Sequence, residues 1–174
     1  MNRPLSWLCA TALLLGLAAC GGGSLDAGSP QPPPTGGPTE VVARQGLDED
    51  SPATSLQATL PDDSSVDLYL PQYAVRERTE VTVSTLPAAL TLPTGTVAGG
   101  VRLQPDGLKL GNASVLTLRV KGTLEQGKTL GFAIHGGTVT YHPVKVRHQD
   151  VNGVAYTTVD LPLLGFSDHG IVSN

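Results

Sequence analysis

The feature that most constrains the fold is a succession of short stretches in which apolar and polar residues alternate. In Val66-Asp67-Leu68-Tyr69-Leu70 the apolar residues recur at every second position, which places them on one face of a β-strand. The stretch from Val115 to Lys121 repeats this pattern. Nine candidate strands lie at 56–60, 66–70, 79–86, 97–103, 115–121, 129–135, 138–147, 154–161 and 166–172.

Turn-forming residues separate these candidate strands. Pro61-Asp62-Asp63-Ser64 lies between the first two, and the pairs Gly136-Gly137 and Asn152-Gly153 are typical of two-residue hairpin turns. No ten-residue window shows a helical period without a glycine or proline interrupting it. The sequence therefore predicts an all-β fold, an antiparallel β-sandwich of about eight or nine strands.

The N-terminus has the layout of a bacterial lipoprotein signal. A short start containing Arg3 is followed by an apolar run, Leu8–Leu17, and by Leu17-Ala18-Ala19-Cys20. We expect residues 1–19 to be removed and Cys20 to carry the lipid. An uncleaved membrane span is the alternative, but the run is shorter than the roughly 20 residues that a transmembrane helix needs. Two or more acyl chains anchor a protein stably, so the membrane is the expected partner of Cys20.

The next segment has the composition of a flexible tether. Residues 21–39 contain six glycines and five prolines, which leaves little apolar surface to bury. We therefore divide the chain into a signal peptide at 1–19, the lipidated Cys20 with its tether at 20–39, and a β-sandwich domain at 40–174.

Composition excludes several classes of function. Without residues 1–19 the chain keeps ten Lys and Arg residues against fifteen Asp and Glu residues, a balance that argues against nucleic acid. Its only remaining cysteine is Cys20, so no disulfide forms within it. No glycine-rich loop follows a strand and opens a helix, so we predict no nucleotide partner and no cofactor.

Three stretches together resemble the zonula-occludens/netrin-receptor domain, a β-sandwich also found in ankyrins and in many bacterial surface proteins. They are Val66–Val75 continuing to Thr79–Val83, Gly100–Leu108 followed by Val115–Leu118, and Phe166–Val172. The resemblance spans residues 55–174 and implies a sandwich fold.

This chain departs from the resembled family at two places. Tyr73 stands where the family usually has glycine in a proline turn, so the turn either changes its backbone shape or tolerates a side chain. Some relatives cleave themselves within a His-Phe-Ser triplet, whereas this chain has Gly165-Phe166-Ser167. The triplet therefore lacks an imidazole to activate Ser167. His169 lies two residues on, on the same strand face, and we predict no self-cleavage.

Other catalytic or metal-binding patterns are weak. Ser167-Asp168-His169 contains the letters of a triad, but neighbouring strand residues point to opposite faces, so Asp168 does not orient His169. For the histidines, positions on the surface or in turns are favoured over metal ligation. For the acidic runs, solvated loops are favoured over calcium sites. The histidines are His135, His142, His148 and His169, and the acidic runs are Asp48-Glu49-Asp50 and Asp62-Asp63. We predict no metal site and no enzymatic activity.

Tyr69 and Tyr73 are the candidate binding residues. They lie on a strand and on the turn beyond it, on the expected outer side of the sandwich. Phe132 and Phe166 occupy apolar strand positions and are expected in the core. No tryptophan remains after residue 19, which weakens the case for a sugar-stacking platform.

The sequence thus predicts a non-catalytic, lipid-anchored protein of the bacterial cell envelope that acts as a structural or protein-interaction module. The alternative is a ligand- or glycan-binding surface lipoprotein, and a self-processing domain is the least favoured. Gly21, rather than aspartate, follows Cys20, which fits sorting to the outer membrane if the organism has one.

Overall fold

The computed structural model describes residues 39–88 and 90–174. The predicted signal peptide, Cys20 and residues 21–38 of the predicted tether lie outside the described residues. In the described ranges all the elements of regular secondary structure are β-strands. These ranges accordingly contain no helix that is long and apolar enough to cross a membrane. The eleven strands of this part are β1 (Val41–Leu47), β2 (Thr54–Thr59), β3 (Ser65–Leu70), β4 (Thr79–Thr85), β5 (Thr96–Gln104), β6 (Lys109–Lys121), β7 (Thr129–His135), β8 (Thr138–Pro143), β9 (Val146–Val151), β10 (Val154–Gly165) and β11 (Asp168–Ser173).

The strands form two antiparallel sheets. The six-stranded sheet has the order β1-β4-β5-β11-β7-β8, and the five-stranded sheet has the order β2-β3-β6-β10-β9. The predicted all-β antiparallel sandwich is thereby confirmed. The C-terminal strand β11 lies in the middle of its sheet, between β5 and β7.

Two differences bring the predicted eight or nine strands to eleven. The edge strand β1 was not predicted, because its mostly exposed residues do not alternate clearly. The candidate at 138–147 is two strands, β8 and β9, which belong to different sheets. Pro143 has no N–H to donate to a sheet, and the buried Val144 lies between the strands. The chain therefore crosses from one sheet to the other at this point.

The predicted hairpins form where the turn residues indicated. β2 pairs with β3, β7 with β8, and β9 with β10. Gly136, Gly137, Asn152 and Gly153 all have positive φ, at 52°, 85°, 55° and 81°. Two consecutive left-handed residues match the right-handed twist of the flanking strands, which explains why these pairs close hairpins.

The main core lies between the two sheets, because each strand turns alternate side chains inward. Phe166 is fully buried there, as its apolar strand position predicted. The buried members of this core are Leu47, Leu56, Leu60, Val66, Leu68, Leu70, Ala74, Val75, Val81, Val83, Val101, Leu103, Leu116, Leu118, Val120, Val144, Val159, Leu161, Leu163, Phe166 and Ile171.

A second apolar cluster lies on the opposite, outer face of the six-stranded sheet. Ile171 belongs to the main core and its neighbour Val172 to this cluster, and successive strand residues point to opposite faces. Phe132 is fully buried in it, which confirms its predicted burial. The loop between β4 and β5 contributes leucines that pack on this face, namely Leu86, Leu90 and Leu92. The part of this outer face around Phe132 and Val172 is therefore covered, whereas Arg44 and Glu80 on β1 and β4 are exposed.

Candidate functional site

The two predicted binding residues, Tyr69 and Tyr73, both expose their side chains, by 44% and 52%. Tyr69 lies on β3 between Ser55 of β2 and Val115 of β6. Tyr73 lies in the turn after β3, and no ring contact joins the two tyrosines in the part of the chain that the structure describes. Both rings are therefore exposed, and they do not stack on each other.

The turn at Tyr73 keeps a glycine-like backbone and carries a side chain. Its φ is 62°, in the left-handed region that glycine adopts most readily. Two hydrogen bonds hold the turn: Ala74 N–H donates to the carbonyl of Pro71 at 3.1 Å, and Asn112 Nδ2 donates to the carbonyl of Gln72 at 2.8 Å. The sequence left two alternatives for this turn, a changed backbone shape or a tolerated side chain, and the structure shows a tolerated side chain.

Ser167, His169 and His135 come together at the start of β11. Ser167 is 2% exposed and His169 is 4% exposed. His169 Nε2 lies 3.1 Å from Ser167 Oγ, and His135 Nε2 lies 3.4 Å from the same oxygen. The two imidazole rings meet edge to face, with centroids 5.8 Å apart. The expected same-face placement of Ser167 and His169 is confirmed, and His135 was not predicted to join them.

The hydrogen bonds of His169 leave its Nε2 unsuited to activating Ser167. That nitrogen also lies 3.1 Å from the carbonyl oxygen of Gly165. A carbonyl only accepts hydrogen bonds, so the contact with Gly165 favours the tautomer that carries its proton on Nε2. Burial lowers the pKa of His169 to about 4, so the ring is neutral at neutral pH. A protonated Nε2 does not accept the hydroxyl proton, as a general base must.

The peptide bond between Phe166 and Ser167 is held by regular backbone hydrogen bonds. Phe166 N–H donates to the carbonyl of Leu108 at 2.9 Å, and the Phe166 carbonyl accepts from Gly107 N–H at 3.0 Å. The Ser167 carbonyl accepts from Leu103 N–H at 2.9 Å. Neither Phe166 nor Ser167 has a positive φ, so this bond carries no left-handed backbone strain.

Asp168 points away from His169, as the strand alternation predicted. It accepts two hydrogen bonds from Arg102, at 2.7 Å from Nε and 2.8 Å from Nη2. The carboxylate in turn raises the pKa of Arg102. This bidentate pair links β11 to β5 on the outer face of the six-stranded sheet.

The remaining candidate ligands do not converge. His142 has a buried Nε2 without a hydrogen-bond partner, and burial lowers the pKa of His142. Asp48 accepts from Ser51 Oγ at 2.9 Å, and Asp62 accepts from Ser64 N–H at 3.0 Å, both within their own loops. Within residues 39–88 and 90–174, no group of three or more His, Cys, Asp or Glu residues is arranged to hold a metal ion.

A polar outer face on the five-stranded sheet is the site that the sequence did not reveal. Gln57, Asp67, Thr117 and Asp160 lie side by side on β2, β3, β6 and β10. Gln57 Nε2 donates to Asp67 Oδ2 at 2.8 Å, and Thr117 Oγ1 donates to Asp160 Oδ1 at 2.9 Å. The alternation of Val115–Lys121 places Thr117 on the face opposite Leu116 and Leu118, but it does not show which strands are neighbours.

The next row of this face contains Ser65, Arg119, Thr158 and Arg147, on β3, β6, β10 and β9. Arg147 makes a bidentate ion pair with Asp160, one contact of which is 2.9 Å. This pair lowers the pKa of Asp160 and raises that of Arg147. The face therefore carries interleaved charges of both signs.

The comparisons with known proteins assign no family to this chain. No protein-family model matches it, and no curated protein is similar to it.

Proposed function

We propose that this chain is a lipid-anchored, non-catalytic protein of the bacterial cell envelope, in the outer membrane if the organism has one. Its sandwich is a structural or protein-interaction module of the type that the zonula-occludens/netrin-receptor domain represents. The observation that carries the anchor is Leu17-Ala18-Ala19-Cys20 after an apolar run. β1 begins at Val41, directly after the glycine- and proline-rich segment 21–39. This order supports a folded module carried on a tether.

The geometry around Ser167 supports a non-catalytic role. The imidazole nearest to its hydroxyl places Nε2 against the Gly165 carbonyl, which favours a proton on that nitrogen, and the adjacent peptide bond lies in an ordinary hydrogen-bonding pattern. A nucleophilic serine needs a base with a free lone pair. We therefore assign the buried Ser167 and His169 to the packing of the β11 end, with the exposed His135 beside them at the longer distance of 3.4 Å from the Ser167 hydroxyl.

The second candidate function is the binding of a ligand or glycan. The observation that favours it is the exposure of Tyr69 on the outer face of the five-stranded sheet, together with the exposed Tyr73 in the following turn. A tyrosine ring offers both an apolar face and a polar hydroxyl to a sugar or to a protein surface.

Membrane fractionation of the full-length protein tests the anchor. Cys20→Ser should move the protein from the membrane to the soluble fraction, because it removes the thiol that carries the lipid. The matched control is Cys9→Ser, within the predicted signal peptide, which should leave fractionation unchanged. The intact mass of the wild type should show acylation at residue 20 and no cut before Ser167. A Cys20→Ser protein that stays in the membrane would contradict the anchor, and two fragments meeting at residue 167 would contradict the non-catalytic assignment.

Crosslinking tests the interaction module. A photoreactive residue in place of Tyr73 should capture a specific envelope protein in intact cells. A photoreactive residue in place of Glu77, exposed beyond the same turn, provides the control for proximity. Equal capture from both positions, or from neither, would contradict a partner bound at Tyr73.

A further inference from the structure

An open groove of about 430 Å³ crosses the outer face of the five-stranded sheet. Its volume falls in the range of small-ligand sites, roughly 300–1,000 Å³. Gln57, Asp67, Arg119 and Thr158 line it, from four adjacent strands. Because β3, β6 and β10 have a neighbouring strand on both sides, their backbone groups are engaged in the sheet, and the groove recognises an occupant there through side chains.

Two charged residues of the groove have an atom without a hydrogen-bond partner. These atoms are Asp67 Oδ1 and Arg119 Nε, and both are buried. Asp67 uses only Oδ2, towards Gln57, and the Arg119 guanidinium lies over the Tyr156 ring, 4.0 Å from its centroid. Buried polar atoms in folded proteins normally have partners, so Asp67 Oδ1 offers an acceptor and Arg119 Nε a donor just beneath the groove surface. A ligand reaches either atom only if the side chain rotates and brings that atom to the groove surface.

The charge balance selects the class of occupant. The neighbouring ionised groups on this face are already paired, Arg147 with Asp160 and Lys121 with Asp63. Asp67 and Arg119 then contribute one negative and one positive charge, so the groove has no net charge to attract an ionic ligand. It suits a neutral ligand that both donates and accepts hydrogen bonds.

Sugar hydroxyls meet this requirement, since each one donates to a carboxylate or accepts from a guanidinium. The hydroxyls of Ser65 and Thr158 add further donors and acceptors along the groove, and Thr117 Oγ1, which donates to Asp160, adds an acceptor. Tyr69 stands two residues from Asp67 on the same face of β3 and is exposed, so its ring offers a surface to the apolar side of a sugar.

We propose that this groove binds a neutral carbohydrate of a few sugar rings, with Asp67 accepting from and Arg119 donating to its hydroxyls. The proposal rests on the second candidate function and places its main contacts in the groove, with Tyr69 at one side and Tyr73 outside it.

The test is a binding titration on the full-length protein in a zwitterionic, sugar-free detergent. The probes are neutral hexasaccharides, namely maltohexaose, cellohexaose and chitohexaose, with hexagalacturonate as the anionic counterpart. We expect at least one neutral probe to bind and hexagalacturonate to bind at least tenfold more weakly. Asp67→Asn and Arg119→Gln should each weaken that binding at least tenfold. The matched controls are Glu80→Gln and Arg44→Gln, an exposed acid–base pair on β4 and β1 of the other sheet, which should leave affinity unchanged.

Each alternative result overturns the groove site. Binding of no neutral probe, tighter binding of the anionic probe, or full affinity in Asp67→Asn and Arg119→Gln would each refute it. Loss of binding in Tyr73→Ala but not in the groove variants would refute the groove while retaining the second candidate function. If a groove variant does not fold, NMR of the wild-type protein provides the test. A bound sugar should shift the Arg119 Nε–H resonance, and the absence of a shift would refute the site. Delivery to the membrane through Cys20 is independent of all these outcomes.

Discussion

The outer faces of the two sheets differ in what covers them. On the six-stranded sheet the outer face is apolar around Phe132, Ile134 and Val172, and the β4–β5 loop packs on it. On the five-stranded sheet the outer face is polar and forms an open groove. A sandwich buries the inner face of each sheet. Whether the outer face is covered or open then decides whether that face can bind a partner. Here one outer face extends the core, and the other is available for binding.

The first prediction concerns apolar burial on the covered face. Phe132→Ala should lower the free energy of unfolding by about 3–5 kcal/mol, the usual cost of truncating a buried phenylalanine. Thr158→Ala, on the open face, should change it by no more than about 0.5 kcal/mol. Urea denaturation followed by circular dichroism measures both values. Similar losses in the two variants would remove the distinction between the covered and the open face.

The second prediction concerns pH, because the central strand of the six-stranded sheet carries a buried histidine. The pKa of His169 is about 4 in the folded protein and about 6.5 in an unfolded chain. Between these values the unfolded chain binds more protons, so stability falls as pH falls. The stability that depends on a neutral His169 is fully present above about pH 6.5, and about 3 kcal/mol of it is lost by pH 4. Burial also lowers the pKa of His142, which acts in the same direction.

Unfolding curves at pH 7.5 and 4.5 measure this loss, and His169→Gln should reduce it. The control is His148→Gln, an exposed histidine on β9 of the five-stranded sheet, which should keep the wild-type pH dependence. An unchanged pH dependence in His169→Gln would show that acid acts elsewhere in the molecule.

The third prediction compares two bidentate arginine–aspartate pairs, one on each outer face. The Asp168 side chain is 12% exposed beside Arg102, whereas the Asp160 side chain is 41% exposed beside Arg147. Asp168→Asn should cost about 1.5–3 kcal/mol, the range for hydrogen bonds to charged groups. Asp160→Asn should cost about 0.2–1 kcal/mol, because solvent screens exposed pairs.

Salt distinguishes the two pairs further. In 1 M NaCl the effect of Asp160→Asn on the unfolding free energy should shrink, since screening acts on exposed charges. The effect of Asp168→Asn should persist. If salt reduced the effects of the two variants equally, solvent would screen the two ion pairs to the same extent.

Hairpins and buried aromatics were predictable because they depend on local patterns. Gly136-Gly137 and Asn152-Gly153 adopt the left-handed conformations that such pairs favour. Phe132 was correctly predicted to be buried, but its place on an outer face under a loop was not, because an alternating pattern does not say what covers each face. The change of sheet after Pro143 was missed because only Val144 and Lys145 separate β8 from β9, so two short runs were interpreted as one strand.

Some candidate functional residues could also be predicted from local sequence patterns, and others could not. Tyr69 and Tyr73 could be selected from composition and strand alternation. The groove could not, because Asp67 and Arg119 are 52 positions apart in the sequence (119 less 67) and become neighbours only when β3 pairs with β6. The meeting of His135 with Ser167 likewise depends on the pairing of β7 with β11.

By itself, the sequence determined the all-β class, the hairpins and the identity of most strands, because backbone preferences and side-chain periodicity act over a few residues. Its N-terminal pattern also carries the proposal of a lipid anchor. Only the tertiary structure decided the strand order, the covered and open outer faces, and the position of His169 Nε2 between Ser167 Oγ and the Gly165 carbonyl. These features arise from contacts between distant segments, and short-range periodicity carries no record of them.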